Sequence, residues 1–236
     1  MGRQWLQKHR EINAAKRGKI TNKLVREISI AARSGLPDPT MNPRLAVAVE
    51  AARKASVPND TIARAIKKGA GLGDEKLTLD TVTFEGFAPH KVPVIVECLT
   101  DNRNRTAPEM RVLFRSGQLG AKVMFFFDRV GIVEATHETG GLDTVEAAIE
   151  AGAQDVEALE ERGEAGTGGR FFTDPSDLDT VTKALGAAGW SVTASEIGYR
   201  PKEEVELPTE QREEVETFLR ALDDNDDVHR IYAALA

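Results

Sequence analysis

The stretch that decides the fold runs from Val94 to Glu109 and reads VIVECLTDNRNRTAPE. It begins with an apolar run of strand length in which most residues favour β structure, and this predicts a buried strand. Thr106 and Glu109 have the three-residue spacing of a capping box, and Pro108 suits the first turn of a helix. We therefore expect a helix to begin near Thr106, directly after a polar loop.

That loop carries the first candidate site. Arg103 and Arg105 alternate with Asn102 and Asn104, and they lie beside a helix N-terminus, which attracts anions. The alternative is a polar loop whose arginines reach solvent or a neighbouring carboxylate. Local chemistry alone favours this plainer interpretation.

Toward the C-terminus, strand and helix patterns alternate. The first group of elements comprises strands Thr81–Phe87, Pro93–Leu99 and Lys122–Phe127 and a helix at Thr106–Ser116. The second group has the order βαββαβ, which is ferredoxin-like: strand Val130–Ala135, helix Leu142–Ala151, strands Asp155–Glu161 and Gly169–Thr173, helix Pro175–Ala188 and strand Ser191–Tyr199. A helix at Thr209–Leu222 and a strand at Asp227–Tyr232 then follow. We predict that they complete the first group, so that the ferredoxin-like unit is inserted into it.

Toward the N-terminus, residues 1–69 show helical periodicity. The clearest segment follows Gly18, and we expect separate helices on its two sides. The segment has an apolar stripe made of Ile20, Leu24, Ile28 and Ala31, opposite a basic face made of Lys19, Lys23, Arg26 and Arg33. A third helix is predicted to begin at Asn42 and Pro43, and a fourth runs from about Pro58 to Gly69, with Lys67 and Lys68 in its last turn.

The charge of the chain is divided unevenly. The net charge is −7, yet residues 1–69 contain 15 Lys/Arg and 5 Asp/Glu, whereas residues 70–236 contain 16 and 33. Charges are screened over roughly 8 Å at physiological ionic strength, so a ligand at one domain barely senses the charge of another. The first domain is therefore predicted to attract nucleic acid. Glycines 69, 71 and 73 and the polar residues up to Asp80 are interpreted as a flexible linker.

Several functional classes lack the sequence patterns they require. Four histidines far apart and a single cysteine, Cys98, give no zinc-binding spacing, and the acidic run at residues 223–227 is better read as a solvated turn than as a calcium loop. No nucleophile elbow, phosphate loop or dinucleotide fingerprint occurs. We expect no catalytic residue, metal, cofactor, small-molecule substrate or membrane partner, and the lone cysteine in an apolar strand fits a reducing cytoplasm.

Base recognition is not visible in the sequence either. There is no helix rich in Asn, Gln and Arg for reading base edges, and we find no aromatic platform for stacking. The expected binding is mainly electrostatic contact with phosphates.

A set of ordered motifs resembles the YebC/PmpR family, which is described as probable transcriptional regulators and includes the mitochondrial translational activator of cytochrome oxidase subunit one. The motifs are ECLTDNRNRT preceded by FEGF at Phe84–Phe87, AAKRGKI at Ala14–Ile20, NPRL at Asn42–Leu45, VPND at Val57–Asp60, RAIKKG at Arg64–Gly69 and LDDNDDVHRIY at Leu222–Tyr232. The resemblance covers nearly the whole chain. One departure is SGQLGAKV at Ser116–Val123, which is shorter than the family's glycine-rich turn.

The resemblance implies a three-domain α+β protein with a basic helical domain at residues 1–75, an α/β domain at 76–129 plus 201–236, and an inserted ferredoxin-like domain at 130–200. It implies a DNA-binding transcriptional regulator, or alternatively a ribosome-associated factor that binds ribosomal RNA and assists peptide-bond formation at proline-rich sequences. A carboxylate-dependent enzyme and a protein-interaction adaptor are the remaining alternatives. The predicted nucleic-acid contacts are Lys8, Arg10, Lys16, Arg17, Lys19, Lys23, Arg26, Arg33, Lys67, Lys68, Arg103 and Arg105.

Overall fold

The computed structural model describes the backbone of residues 3–72, 79–159 and 166–236, and the side chains of these residues from Gly18 onward. The chain forms two compact units, residues 1–77 and residues 78–236. No helix in the described ranges is both long and apolar enough to cross a bilayer.

The first unit consists of helices α1 (Arg3–Ser34), α2 (Pro43–Lys54) and α3 (Asn59–Gly69). The start of α2 is as predicted: the Asn42 side chain accepts a hydrogen bond from the Leu45 amide, while its own amide group donates to the carbonyls of Ala31 and Leu36. The expected break at Gly18 is wrong, because α1 runs through it without interruption. A glycine inside a helix costs about 1 kcal/mol relative to alanine, which the remaining turns of so long a helix offset.

The core of the first unit lies between the three helices. Ile28 of α1 is fully buried, together with Leu45 and Ala52 of α2, and Ile62 of α3 is nearly so. Helices α1 and α3 approach so closely that a Cβ atom added to Gly69 would lie 2.2 Å from the Ser29 carbonyl oxygen. Gly69 is thus a helical packing residue, whereas the sequence suggested that it only ends the helix. Residues 73–78, the centre of the predicted linker, lie outside the described ranges.

The second unit contains two four-stranded antiparallel sheets. Its elements in chain order are β1 (Asp80–Phe87), β2 (Pro93–Thr100), α4 (Arg103–Leu113), β3 (Gln118–Leu119), β4 (Phe127–His137), α5 (Thr144–Ala151), β5 (Asp155–Leu159), β6 (Thr167–Thr173), α6 (Leu178–Ala187), β7 (Ser191–Pro201), α7 (Thr209–Asp223) and β8 (Val228–Ala233).

The first sheet has the order β3-β1-β2-β8, and the second has the order β5-β6-β4-β7. The second is the ferredoxin-like βαββαβ arrangement predicted from the sequence. Strand β8 returns to the first sheet and pairs with β2, with Val96 opposite Ile231, so the chain leaves this sheet after β3 and rejoins it more than one hundred residues later. Helices α4 and α7 cover one face of the first sheet, where Met110 and Val215 pack on the buried β2 residues.

Two predicted elements differ from the structure. Residues 122–127 were expected to form a strand, but Met124–Phe126 is a short 3₁₀ turn and β4 begins only at Phe127. Helix α4 begins at Arg103 instead of Thr106, because the Asn102 side chain accepts hydrogen bonds from the amides of Asn104 and Arg105 and is the actual N-cap. Pro108 consequently lies inside the helix.

Candidate nucleic-acid interface

The first candidate surface is the basic face of α1. Ile28 and Ala31 are buried on the opposite side, as the apolar stripe predicts, whereas Ile20, at the other end of the stripe, is 53% exposed. Lys19 and Arg33 are exposed, and Lys23 and Arg26 are half-buried. A rise of 1.5 Å per residue spreads these four cations over about 21 Å, roughly the length of six nucleotides of one B-DNA strand.

Two of the predicted cations meet at one end of the unit. Arg33 of α1 and Lys68 of α3 line the same open cleft of about 610 Å³, together with Gly35, Pro37 and the residues that follow α3. Gly69 also lines this cleft, and its lack of a side chain lets α3 approach the Ser29 backbone of α1 closely beside it. Lys67 is also exposed in the last turn of α3.

The remaining predicted residues of this unit are Lys8, Arg10, Lys16 and Arg17. Their backbone belongs to α1, but their side chains lie outside the described part of the chain. Their contact with nucleic acid stays a prediction, as does that of the other basic residues.

The second candidate surface, the loop between β2 and α4, is occupied by the protein's own groups. The Asn102 carboxamide oxygen already accepts from two of the first amides of α4, so these amides have a partner within the protein. Arg103 donates from Nε to Asp80 at 3.0 Å, and its side chain is 64% exposed. Arg105 donates to Asp101 at 3.0 Å and to both carboxylate oxygens of Asp227 at 2.9 and 3.0 Å.

Asp227 is the centre of a buried polar cluster that the sequence did not reveal. It is only 3% exposed, so the reading of residues 223–227 as a solvated turn is wrong at this position. Its carboxylate accepts from the Thr106 hydroxyl at 2.8 Å, and its backbone carbonyl accepts from the Leu99 amide at 2.8 Å. The hydrogen bonds from Arg105 to Asp227, together with the charge of Asp227, raise the pKa of the Arg105 guanidinium. Arg105 therefore anchors α4 to the segment that leads into β8.

The thiol next to this cluster is shielded from solvent. Cys98 is fully buried in β2, as expected, and burial, with smaller contributions from the charges of Asp227 and Glu109, raises the pKa of its thiol to about 12. A neutral, inaccessible thiol is a core residue and not a nucleophile. In the described ranges, no group of three or more His, Cys, Asp or Glu side chains has the arrangement of a metal site.

The structure exposes aromatic side chains that the sequence interpretation had assigned to a strand. Phe125 is 64% exposed and Phe126 36% exposed, beside Met124 at 42%. The signal that could have revealed them was the run MFFF, since four large apolar residues in succession cannot all face inward from one strand.

Comparisons with known proteins cover both units. A family model described as the TACO1/YebC protein N-terminal domain matches residues 2–72, and one described as the TACO1/YebC second and third domain matches residues 79–235. A protein of Pseudomonas syringae pv. tomato named "Probable transcriptional regulatory protein" is 53% identical over the full length of both chains. One with the same name from Lactobacillus delbrueckii subsp. bulgaricus is 41% identical, covering 98% of this chain and 95% of its own length.

A solved structure has a similar fold. The crystal structure of the conserved hypothetical protein Aq1575 from Aquifex aeolicus matches with a TM-score of 0.81 at 38% sequence identity, and the match covers 94% of this chain and 91% of that one. The similarity therefore extends over most of both units.

Proposed function

The chain belongs to the TACO1/YebC family, and from this premise we propose that it is a transcriptional regulator that binds DNA through its basic helical unit. In this proposal, the three domains have the boundaries expected from the sequence, namely residues 1–75, 76–129 with 201–236, and 130–200. The protein acts in the cytoplasm and is not an enzyme.

The observation that carries the proposal is the concentration of cations on one face of a long, continuous helix. Residues 1–69 have a net charge of +10, and the four cations of the α1 face share a single helical register because the helix is continuous. The match to relatives named "Probable transcriptional regulatory protein" supports the choice of DNA as the partner. Affinity in this arrangement comes from phosphate neutralisation, which is independent of base sequence.

Salt dependence tests the proposed face directly. The triple variant K19Q/K23Q/R26Q removes three charges but keeps side chains of similar length, and each phosphate contact contributes about −0.9 to the slope of log K against log salt on duplex DNA. We therefore expect the slope for a 20-base-pair duplex to become less negative by about 2.7. The matched control K19R/K23R/R26K keeps the charge and should keep the slope. An unchanged slope in the triple variant would rule out this face.

The biological target requires a separate experiment. Crosslinking in cells, followed by sequencing of the bound DNA and RNA, should enrich promoter DNA in a manner that depends on the α1 face. Recovery of ribosomal RNA instead would contradict a role in transcription.

A further inference from the structure

The exposed turn that precedes β4 is held rigidly. The carboxylate of Glu85 accepts hydrogen bonds from the amides of Val123 and Met124, at 2.8 and 3.0 Å. The Phe126 carbonyl accepts from the Lys202 amide at 2.9 Å. A turn fixed on both sides in this way presents its side chains to solvent without further ordering, which lowers the entropic cost of binding a ligand.

The side chains on this turn form a short aromatic stack. The rings of Phe125 and Phe126 lie 4.1 Å apart with an interplanar angle of 35°, and Phe126 meets the edge of Phe87 with a centroid distance of 6.3 Å. Phe87 packs with a small buried cluster around Ile95 and Val123. This row of rings therefore runs from a partly buried residue at the border of the core to Phe125, the most exposed of the three.

The charge around the turn differs from that of the rest of this half of the chain. Residues 115–129 contain three Lys/Arg and one Asp, whereas residues 70–236 as a whole have a net charge of −17. Lys122 and Arg129 flank the aromatic residues and are exposed. The single acid, Asp128, lies 3.4 Å from the Lys202 ammonium group. The segment thus carries a small excess of positive charge in an otherwise acidic region, even though the Glu85 carboxylate bonds to the turn amides.

We propose that Phe125, backed by Phe126, stacks on an unpaired base of a single-stranded nucleic acid, while Lys122 and Arg129 contact the adjoining phosphates. Exposed aromatic rings beside cations are the usual means of binding single strands without sequence preference, because every base has a π face. Paired bases in a duplex are already stacked and cannot use this site. The inference rests on the proposed nucleic-acid binding and adds to it a second site that is selective for unpaired strands.

Oligonucleotide binding to the full chain tests this site. The probes are a 12-nucleotide oligo-dT, a 12-nucleotide oligo-U and a 20-base-pair duplex. Removing one stacking ring weakens single-strand binding by roughly 5- to 150-fold in known systems. We therefore expect F125A to bind both single strands more weakly by a factor in this range. Its affinity for the duplex should equal that of the parent protein. The matched control is I149A, which also removes an exposed apolar side chain, since Ile149 on α5 is 73% exposed.

A spectroscopic variant separates stacking from simple loss of apolar surface. In F125W, the single strand should quench the indole emission beyond the change seen in the parent protein, and single-strand affinity should be retained. Unchanged single-strand affinity in F125A, or absence of quenching in F125W, overturns the inference. Loss of self-association in F125A, measured by sedimentation, with unchanged oligonucleotide binding would likewise overturn it and identify the turn as a protein contact.

The two proposals fail in different ways. If the duplex still binds through the α1 face but F125A behaves as the parent, only the single-strand site is wrong. If the parent protein binds neither the duplex nor the single strands, both proposals are wrong.

Discussion

The buried carboxylate of Asp227 offers the sharpest test of how this molecule is held together. In D227N, the side chain keeps its size but loses its charge, and one acceptor oxygen becomes a donor that faces the donors Arg105 and Thr106. A hydrogen bond to a charged group contributes about 1.5–3 kcal/mol, and an unsatisfied buried group adds to the cost. We therefore expect D227N to lower the free energy of unfolding by about 3 kcal/mol.

Cys98 provides a reporter at the site itself. It is the single cysteine of the chain, it is fully buried, and it pairs with Val228 in the ladder between β2 and β8. When opening is fast relative to modification, the labelling rate of the thiol follows the population of the open state. A loss of 3 kcal/mol should accelerate labelling about 100-fold. The neighbouring exposed residue gives the control D226N, which should label at the parent rate.

A D227N protein whose Cys98 labels within threefold of the D226N rate would contradict this expectation. Such a result would mean that the Asp227 carboxylate contributes little to the closure of β8 on β2. Far-UV circular dichroism of both variants before labelling checks that the native fold is present.

Three further outcomes are expected. G69A should destabilise the helical unit by about 1–3 kcal/mol in thermal denaturation, because the added Cβ would press on the Ser29 carbonyl. G18A should stabilise the unit by up to about 1 kcal/mol, because a Cβ atom at Gly18 would have nothing within 4 Å. Equal effects of the two substitutions would contradict the packing described for α1 and α3. Because the pKa of the Cys98 thiol is raised to about 12, the stabilisation that comes from keeping this thiol protonated is fully present below about pH 8.5. As the pH rises from there toward 12, the free energy of unfolding should fall by about 1.4 kcal/mol per pH unit. C98A should lack this part of the decrease in stability at alkaline pH. R105A should accelerate Cys98 labelling while R103A should not, since the partner of Arg103 is exposed; equal labelling in both would argue against the anchoring role of Arg105.

Elements defined by local periodicity could be predicted, and features defined by contacts between distant segments could not. The strand β2 and the βαββαβ order follow from apolar runs separated by turn residues, and the structure confirms them. The N-cap of α4 was misplaced because two positions satisfy capping rules: Thr106 matches the sequence pattern, yet its hydroxyl bonds to Asp227, which lies 121 residues away. No local pattern indicates such a partner.

The candidate sites show the same division. The basic face of α1 was visible because a charge pattern repeats along one helix. A carboxylate partner for Arg105 was one of the two interpretations of the loop, but its identity was not visible, since Asp227 reaches it only after the inserted elements return the chain to the first sheet. The exposed turn at residues 124–126 was missed because apolar residues were assumed to face inward.

The late arrival of β8 has a consequence for biosynthesis. Until β8 has emerged from the ribosome, β2 has an open edge made of Val94, Ile95 and Val96, an apolar sequence of the kind that pairs with other chains. The ferredoxin-like sheet pairs only within residues 127–201 and can form earlier, because all its strands are then available. Nascent chains and chains truncated before β8 should thus aggregate through β2, and β8 covers this apolar strand edge in the folded protein.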